Sequence, residues 1–125
     1  MKRLLVHLFF ILLSASSWAQ NNIQLAAQLT YQGSALANIG GYVDSLGNEY
    51  ALVGTDFGLS IVDVTVPTNP VIRFTVPGPT NDWREVKTYR KTAYITTEGG
   101  GGLTVVDMSR LPGTINYHQY TGDGA

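Results

Sequence analysis

The stretch TNDWREVKTY, residues 80–89, sets Asp82, Trp83, Arg84 and Glu85 in consecutive positions. Two carboxylates, a guanidinium and an indole in one place can form charge-assisted hydrogen bonds and offer a flat apolar ring, which suits ligand binding. Glu98, at the head of EGGGG (98–102), is a further acidic candidate. A plainer reading competes. In it Arg84 and Glu85 pair or face solvent, where single ion pairs contribute little, and Trp83 packs between neighbouring elements.

Other residues invite a chemical reading and support it less well. Asp63 and Asp107 close the matching phrases GLSIVDVT (58–65) and GLTVVDMS (102–109), which begin with Gly58 and Gly102. Repeated carboxylates could be metal ligands, but an aspartate before a turn also accepts hydrogen bonds from that turn, and repetition favours this architectural role. DSLGNE (44–49) lacks the calcium-loop spacing, and its Gly47-Asn48 reads as a hairpin turn. EGGGG is followed by a strand pattern rather than by Lys-Ser/Thr and a helix, so it reads as a tight glycine turn and not as a phosphate cradle. His118 is the lone histidine after residue 19, and no G-x-S-x-G phrase occurs. No catalytic residue, metal site or cofactor is therefore nominated.

The elements that must carry these residues come from an internal repeat. A shift of 44 positions places Gly58 on Gly102, Leu59 on Leu103, Val62 on Val106, Asp63 on Asp107 and Tyr50 on Tyr94. It also places VIRFTV (71–76) on INYHQY (115–120), and AQLTYQ (27–32) on VIRFTV. β-branched and aromatic residues alternate with polar ones between Gly, Pro, Asn and Asp punctuation, which predicts strands. In the second repeat these are WREVKTY (83–89), TAYITTE (92–98), LTVVDM (103–108) and INYHQY (115–120). Four antiparallel strands in a period of about 40–45 residues is the pattern of a β-propeller blade. The expected fold is all-β: a leading strand at 27–32, one blade at 38–76 and a second at 82–120, forming part of a propeller. If the strands alternate in direction, the loop before a blade's first strand and the loop between its second and third share one face. Asp82, Trp83, Arg84, Glu85 and Glu98 then meet at one rim of the central channel.

The ends and the composition bound the function. Lys2 and Arg3, an apolar run from Leu4 to Leu13, and Ser17-Trp18-Ala19 before Gln20 read as a signal peptide over residues 1–19. That run is well short of the roughly 20 residues a membrane-spanning helix needs. Residues 20–125 contain no cysteine and carry six basic against nine acidic side chains, a net charge of −3 without a basic cluster. This composition excludes disulfide bonding and argues against nucleic acid as a partner.

The phrases GYVDSLGNEYALVGT, GLSIVDVTVPTNPV, WREVKTY and AYITTEGGGGLTVVDMSRLP resemble, in the same order, the N-terminal region of the choice-of-anchor B family of exported bacterial proteins built from LVIVD repeats. The resemblance spans most of residues 36–113. It implies a β-propeller, surface localisation and variable C-terminal sorting modules, and it implies no activity. Two blades are fewer than the roughly four to eight of a closed ring, so further blades, or association with copies of the chain, are expected to complete the assembly. The leading functional expectation is a secreted or cell-surface binding, adhesion or scaffold module whose rim meets an extracellular protein or glycan. The alternative is part of a propeller enzyme, a metal-assisted hydrolase or lyase, with its other active-site residues on further blades.

Overall fold

The computed structural model describes residues 23–122. The signal peptide expected over residues 1–19 lies outside the described residues. Eight strands form two four-stranded antiparallel sheets, each ordered as the chain runs. The first sheet holds β1 (Leu36–Val43), β2 (Glu49–Thr55), β3 (Gly58–Asp63) and β4 (Val71–Pro77); the second holds β5 (Arg84–Tyr89), β6 (Thr92–Thr97), β7 (Leu103–Asp107) and β8 (Asn116–Tyr120). No helix occurs among the described residues, so none of them forms a helix long and apolar enough to cross a membrane.

Side-chain alternation decides what each sheet buries. Tyr50, Leu52, Leu59, Ile61 and Val76 project from the first sheet into a core shared with Val86, Ala93, Ile95 and Val106 of the second. Met108 and Leu111, in the loop after β7, close the same core. Leu52, Ile61, Ala93 and Val106 are fully buried, and each large apolar side chain removed from water contributes roughly 1.5–3 kcal/mol. Val53 and Val62 of the first sheet are also buried, outside this cluster, but the cluster itself draws on both sheets. The two blades therefore depend on one another for stability.

The innermost strands β1 and β5 lie side by side. Gly40 permits the approach, because a Cβ there would stand 3.3 Å from Val86 Cγ1. Gly58 and Gly102 permit an equivalent feature at the start of β3 and β7. Both have positive φ, and a Cβ on either would collide with the backbone oxygen of the neighbouring outer strand, that of Val76 or of Tyr120. The repeated glycines thus mark a close approach of two backbones that no side chain could share.

The 44-residue offset describes β3 and β7 but not the strands before them. Asp63 pairs with Tyr50, whereas Asp107 pairs with Thr92; Tyr94 pairs with Val105, as Leu52 pairs with Ile61. Tyr94 is thus the counterpart of Leu52, which corrects its alignment with Tyr50. The cause is loop length: two residues, Asp56 and Phe57, separate the paired Thr55 and Gly58, while four, Glu98–Gly101, fill the corresponding space between Thr97 and Gly102. The extra glycines slide β6 by two positions, which keeps its buried face buried.

Residues 27–32 do not form the expected strand. A strand needs a neighbouring edge to satisfy its amides, and this segment pairs with neither sheet. It is fastened by the Tyr31 side chain and by the residues that follow it. The Tyr31 hydroxyl donates to the buried Ser60 Oγ at 3.0 Å, Ser34 Oγ donates to Asp56 Oδ1 at 2.8 Å, and the Asp56 N–H donates to Ala35 O at 3.0 Å.

Candidate functional site

The five candidate residues converge where β5 begins, and alternation separates them into two roles. Asp82, Trp83, Glu85 and Glu98 are exposed and Arg84 is buried. Trp83, Glu85, Thr96, Thr97 and Glu98 line one open depression of about 330 Å³. Trp83 and Glu85 also join Leu36, Ala37, Asn38 and Asp82 around a second depression of about 480 Å³.

Arg84 occupies the seam between the blades. Its Nε donates to Thr55 O at 2.8 Å, and one terminal nitrogen donates to Pro79 O at 2.7 Å and, at 3.4 Å, to Asp56 O. A Cβ on Gly54 would stand 3.5 Å from the side-chain stem, and one on Gly78 would stand 3.0 Å from a guanidinium nitrogen. Glycines therefore make the slot in which the arginine lies. Burial pulls its pKa below the ordinary value, and the Asp56 charge opposes that shift. At only 4% exposure Arg84 is a cross-blade clasp and not an exposed ligand contact. The reading in which Arg84 pairs with Glu85 or faces solvent is corrected in the same way, since its partners are backbone carbonyls of the first blade and of the linker between the blades.

Trp83 shows the opposite departure. The plainer reading packs it between blades, yet the side chain is 70% exposed. Its backbone is held on both sides: the N–H donates to Asn81 Oδ1 at 2.7 Å, and the carbonyl accepts from Thr97 Oγ1 at 3.0 Å. Glu85 accepts from Asn38 Nδ2 at 3.4 Å and lies 3.4 Å from Lys87 Nζ. That ion pair is exposed at both ends and contributes little to stability.

The paired aspartates have a common geometry. Asp63 Oδ1 accepts from Thr65 N at 3.0 Å, and Asp107 Oδ1 accepts from Ser109 N at 2.8 Å. Each closes an Asx-type turn after the third strand. Asp63 Oδ2 also accepts from Arg73 Nε and a terminal nitrogen, at 3.1 and 2.9 Å. Thr65 and Arg73 hold the Asp63 carboxyl below its ordinary pKa against some burial, and Ser109 does the same for Asp107. His118 lies exposed on β8 opposite Val105, on the outer strand expected for it. Among the described residues no group of three or more His, Cys, Asp or Glu is placed to hold a metal ion.

Two polar centres hold roles that the sequence reading did not assign. Asp44 accepts from Leu46 N, Asn48 N and Asn48 Nδ2 at 2.8–2.9 Å and from the Tyr50 hydroxyl at 3.1 Å. Its burial opposes the charge, but these hydrogen bonds outweigh it and hold the carboxyl below the usual range. The Asp-x-x-Gly-Asn phrase is the signal for this turn, and the link to Tyr50 adds an anchor in the core. The other centre is Arg84, whose only sequence signal is the glycines opposite it.

Comparison with known proteins assigns the first blade. No curated protein and no solved structure matches the chain. Residues 40–77, which run from within β1 to the end of β4, match the LVIVD repeat.

Proposed function

We propose that the chain is an exported, cell-surface protein of the choice-of-anchor B kind, whose LVIVD-type blades act as a non-catalytic binding or adhesion module. The basic-then-apolar start ending at Ser17-Trp18-Ala19 supports export. The LVIVD match and the two sheets support a propeller-type scaffold. The observation that carries the binding role is Trp83, a large aromatic ring left 70% exposed on a backbone fixed by Asn81 and Thr97. Exposing an indole forgoes the hydrophobic gain of burying it, and rigid aromatics of this kind serve as interface anchors. The partner on this reading is an extracellular protein or glycan. Further blades, or copies of the chain, would complete the assembly around it.

The test has two parts. Expression in a Gram-negative host followed by mass analysis should find the exported product beginning at Gln20. The purified chain should bind extracellular matrix material from bacterial culture, and Trp83→Ala should reduce that binding at least tenfold while the far-ultraviolet spectrum stays unchanged. Retention of the intact N-terminus in the cytoplasm would remove the export claim, and equal binding by Trp83→Ala would remove the rim from the proposal.

A further inference from the structure

We propose that the Trp83 ridge is a carbohydrate subsite, taking one ring of an uncharged polysaccharide stacked on the indole; this rests on the binding-module reading above. Three features of the ridge decide the ligand class. The Trp83 side chain is 70% exposed and the residue borders two open depressions, so a flat partner can stack on the indole and extend into the adjoining space. A narrow peptide anchor would need an enclosed pocket instead.

The polar fringe contains both kinds of hydrogen-bonding group. Asp82, Glu85 and Glu98 present acceptors, and Asn38 and Lys87 present donors. Sugar hydroxyls donate and accept, so they can use both. A cationic ligand would gain from the carboxylates but would meet Lys87, whose ammonium already lies 3.4 Å from Glu85. An anionic polysaccharide would meet three exposed carboxylates. The mixed fringe therefore favours a neutral sugar.

The third feature is rigidity. Asn81 and Thr97 hold the Trp83 backbone, and the next residue, Arg84, is clasped to carbonyls of Thr55 and Pro79. A residue whose backbone is already fixed has only its side-chain freedom to lose on binding, which allows a weak, exposed stacking contact to be useful when a polymer engages many copies at a surface.

The experiment uses the exported chain beginning at Gln20, in which Trp83 is the single tryptophan. Soluble neutral polysaccharides (a β-glucan, a galactomannan and a dextran), alginate and polylysine are each titrated while Trp83 fluorescence and its quenching by acrylamide are recorded. The expected result is strong quenching without ligand, protection by at least one neutral polysaccharide and none by alginate or polylysine. In pull-down assays, Trp83→Ala should lower the affinity at least tenfold and Trp83→Tyr should restore most of it. Protection by polylysine alone would overturn the sugar assignment while leaving a binding rim in place. Protection by none of the polymers, with matrix binding still lost in Trp83→Ala, would also overturn the sugar and point to a protein partner. Failure of Trp83→Ala to alter binding to any material would overturn both this proposal and the module reading.

Discussion

Replacing Arg84 with alanine should weaken the seam between the blades more than any other single change at the rim. The side chain makes two short hydrogen bonds to carbonyls, 2.8 Å to Thr55 O and 2.7 Å to Pro79 O, and a longer one to Asp56 O. A hydrogen bond from a charged donor contributes about 1.5–3 kcal/mol net. Taken at the lower end, two such bonds give a loss of about 3 kcal/mol. For a domain of this size that lowers Tm by about 12–24 °C. Arg84→Lys keeps the charge but replaces the planar fork with a point donor, so it should lose about half as much. Urea unfolding of wild type, Arg84→Lys and Arg84→Ala, followed by circular dichroism, should rank them in that order of stability. If alanine prevents folding, the lysine variant still reports an intermediate midpoint. An alanine variant within about 0.5 kcal/mol of wild type, the range of an ordinary surface substitution, would refute the clasp.

Gly58→Ala and Gly102→Ala should each cost about 2 kcal/mol or more, because both combine positive φ with a Cβ directed at a backbone oxygen. Gly41→Ala, which meets nothing within 4 Å, should stay within about 0.5 kcal/mol in the same urea assay. The depressed carboxyls of Asp44, Asp63 and Asp107 contribute stability that is complete above the ordinary carboxylate pKa of about 4 and is lost as pH falls through their lower folded values. The urea midpoint should accordingly be flat above about pH 5 and fall below about pH 4; a midpoint that rises on acidification would contradict this. Tyr50, buried and donating to Asp44, has its pKa pushed up to about 12. Its contribution is complete below the unfolded tyrosine value of about 10 and is lost as pH rises through the folded one. The Tyr42 pKa is also raised, by burial and by the Asp44 charge, so ultraviolet titration should show a late-ionising tyrosine component that Tyr50→Phe reduces without abolishing.

The strands were legible because alternation and turn residues agree along them. WREVKTY, TAYITTE, LTVVDM and INYHQY differ from β5 to β8 by at most one residue at either end. The repeat itself was legible through GLSIVDVT and GLTVVDMS, where an aspartate, a glycine and the alternation all coincide. The slip of β6 was hidden because both blades carry a tyrosine at the same offset, and sequence identity outweighed the two-residue difference in loop length. The roles of Trp83 and Arg84 were inverted for a reason of residue type. Tryptophan is usually buried and arginine usually exposed, but strand parity at the start of β5 turns Arg84 inward, and its acceptors are carbonyls that leave no trace in side-chain identity. The leading segment looked like a strand because its alternation is real. That pattern faces the Ser60 side of the first sheet, and what it lacks is a paired edge.

Native-state hydrogen exchange on wild type and Arg84→Lys is the most direct test of the claim that two repeats form one body holding Trp83 in place. Because Leu52 and Ile61 share their core with Ile95 and Val106, the slowest amides of β2, β3, β6 and β7 should exchange with one common free energy. The lysine substitution should lower that value by the same amount in both sheets. If the second sheet instead exchanges independently, or if Arg84→Lys lowers protection there and leaves β2 and β3 untouched, the blades are separate units and the account of the seam fails.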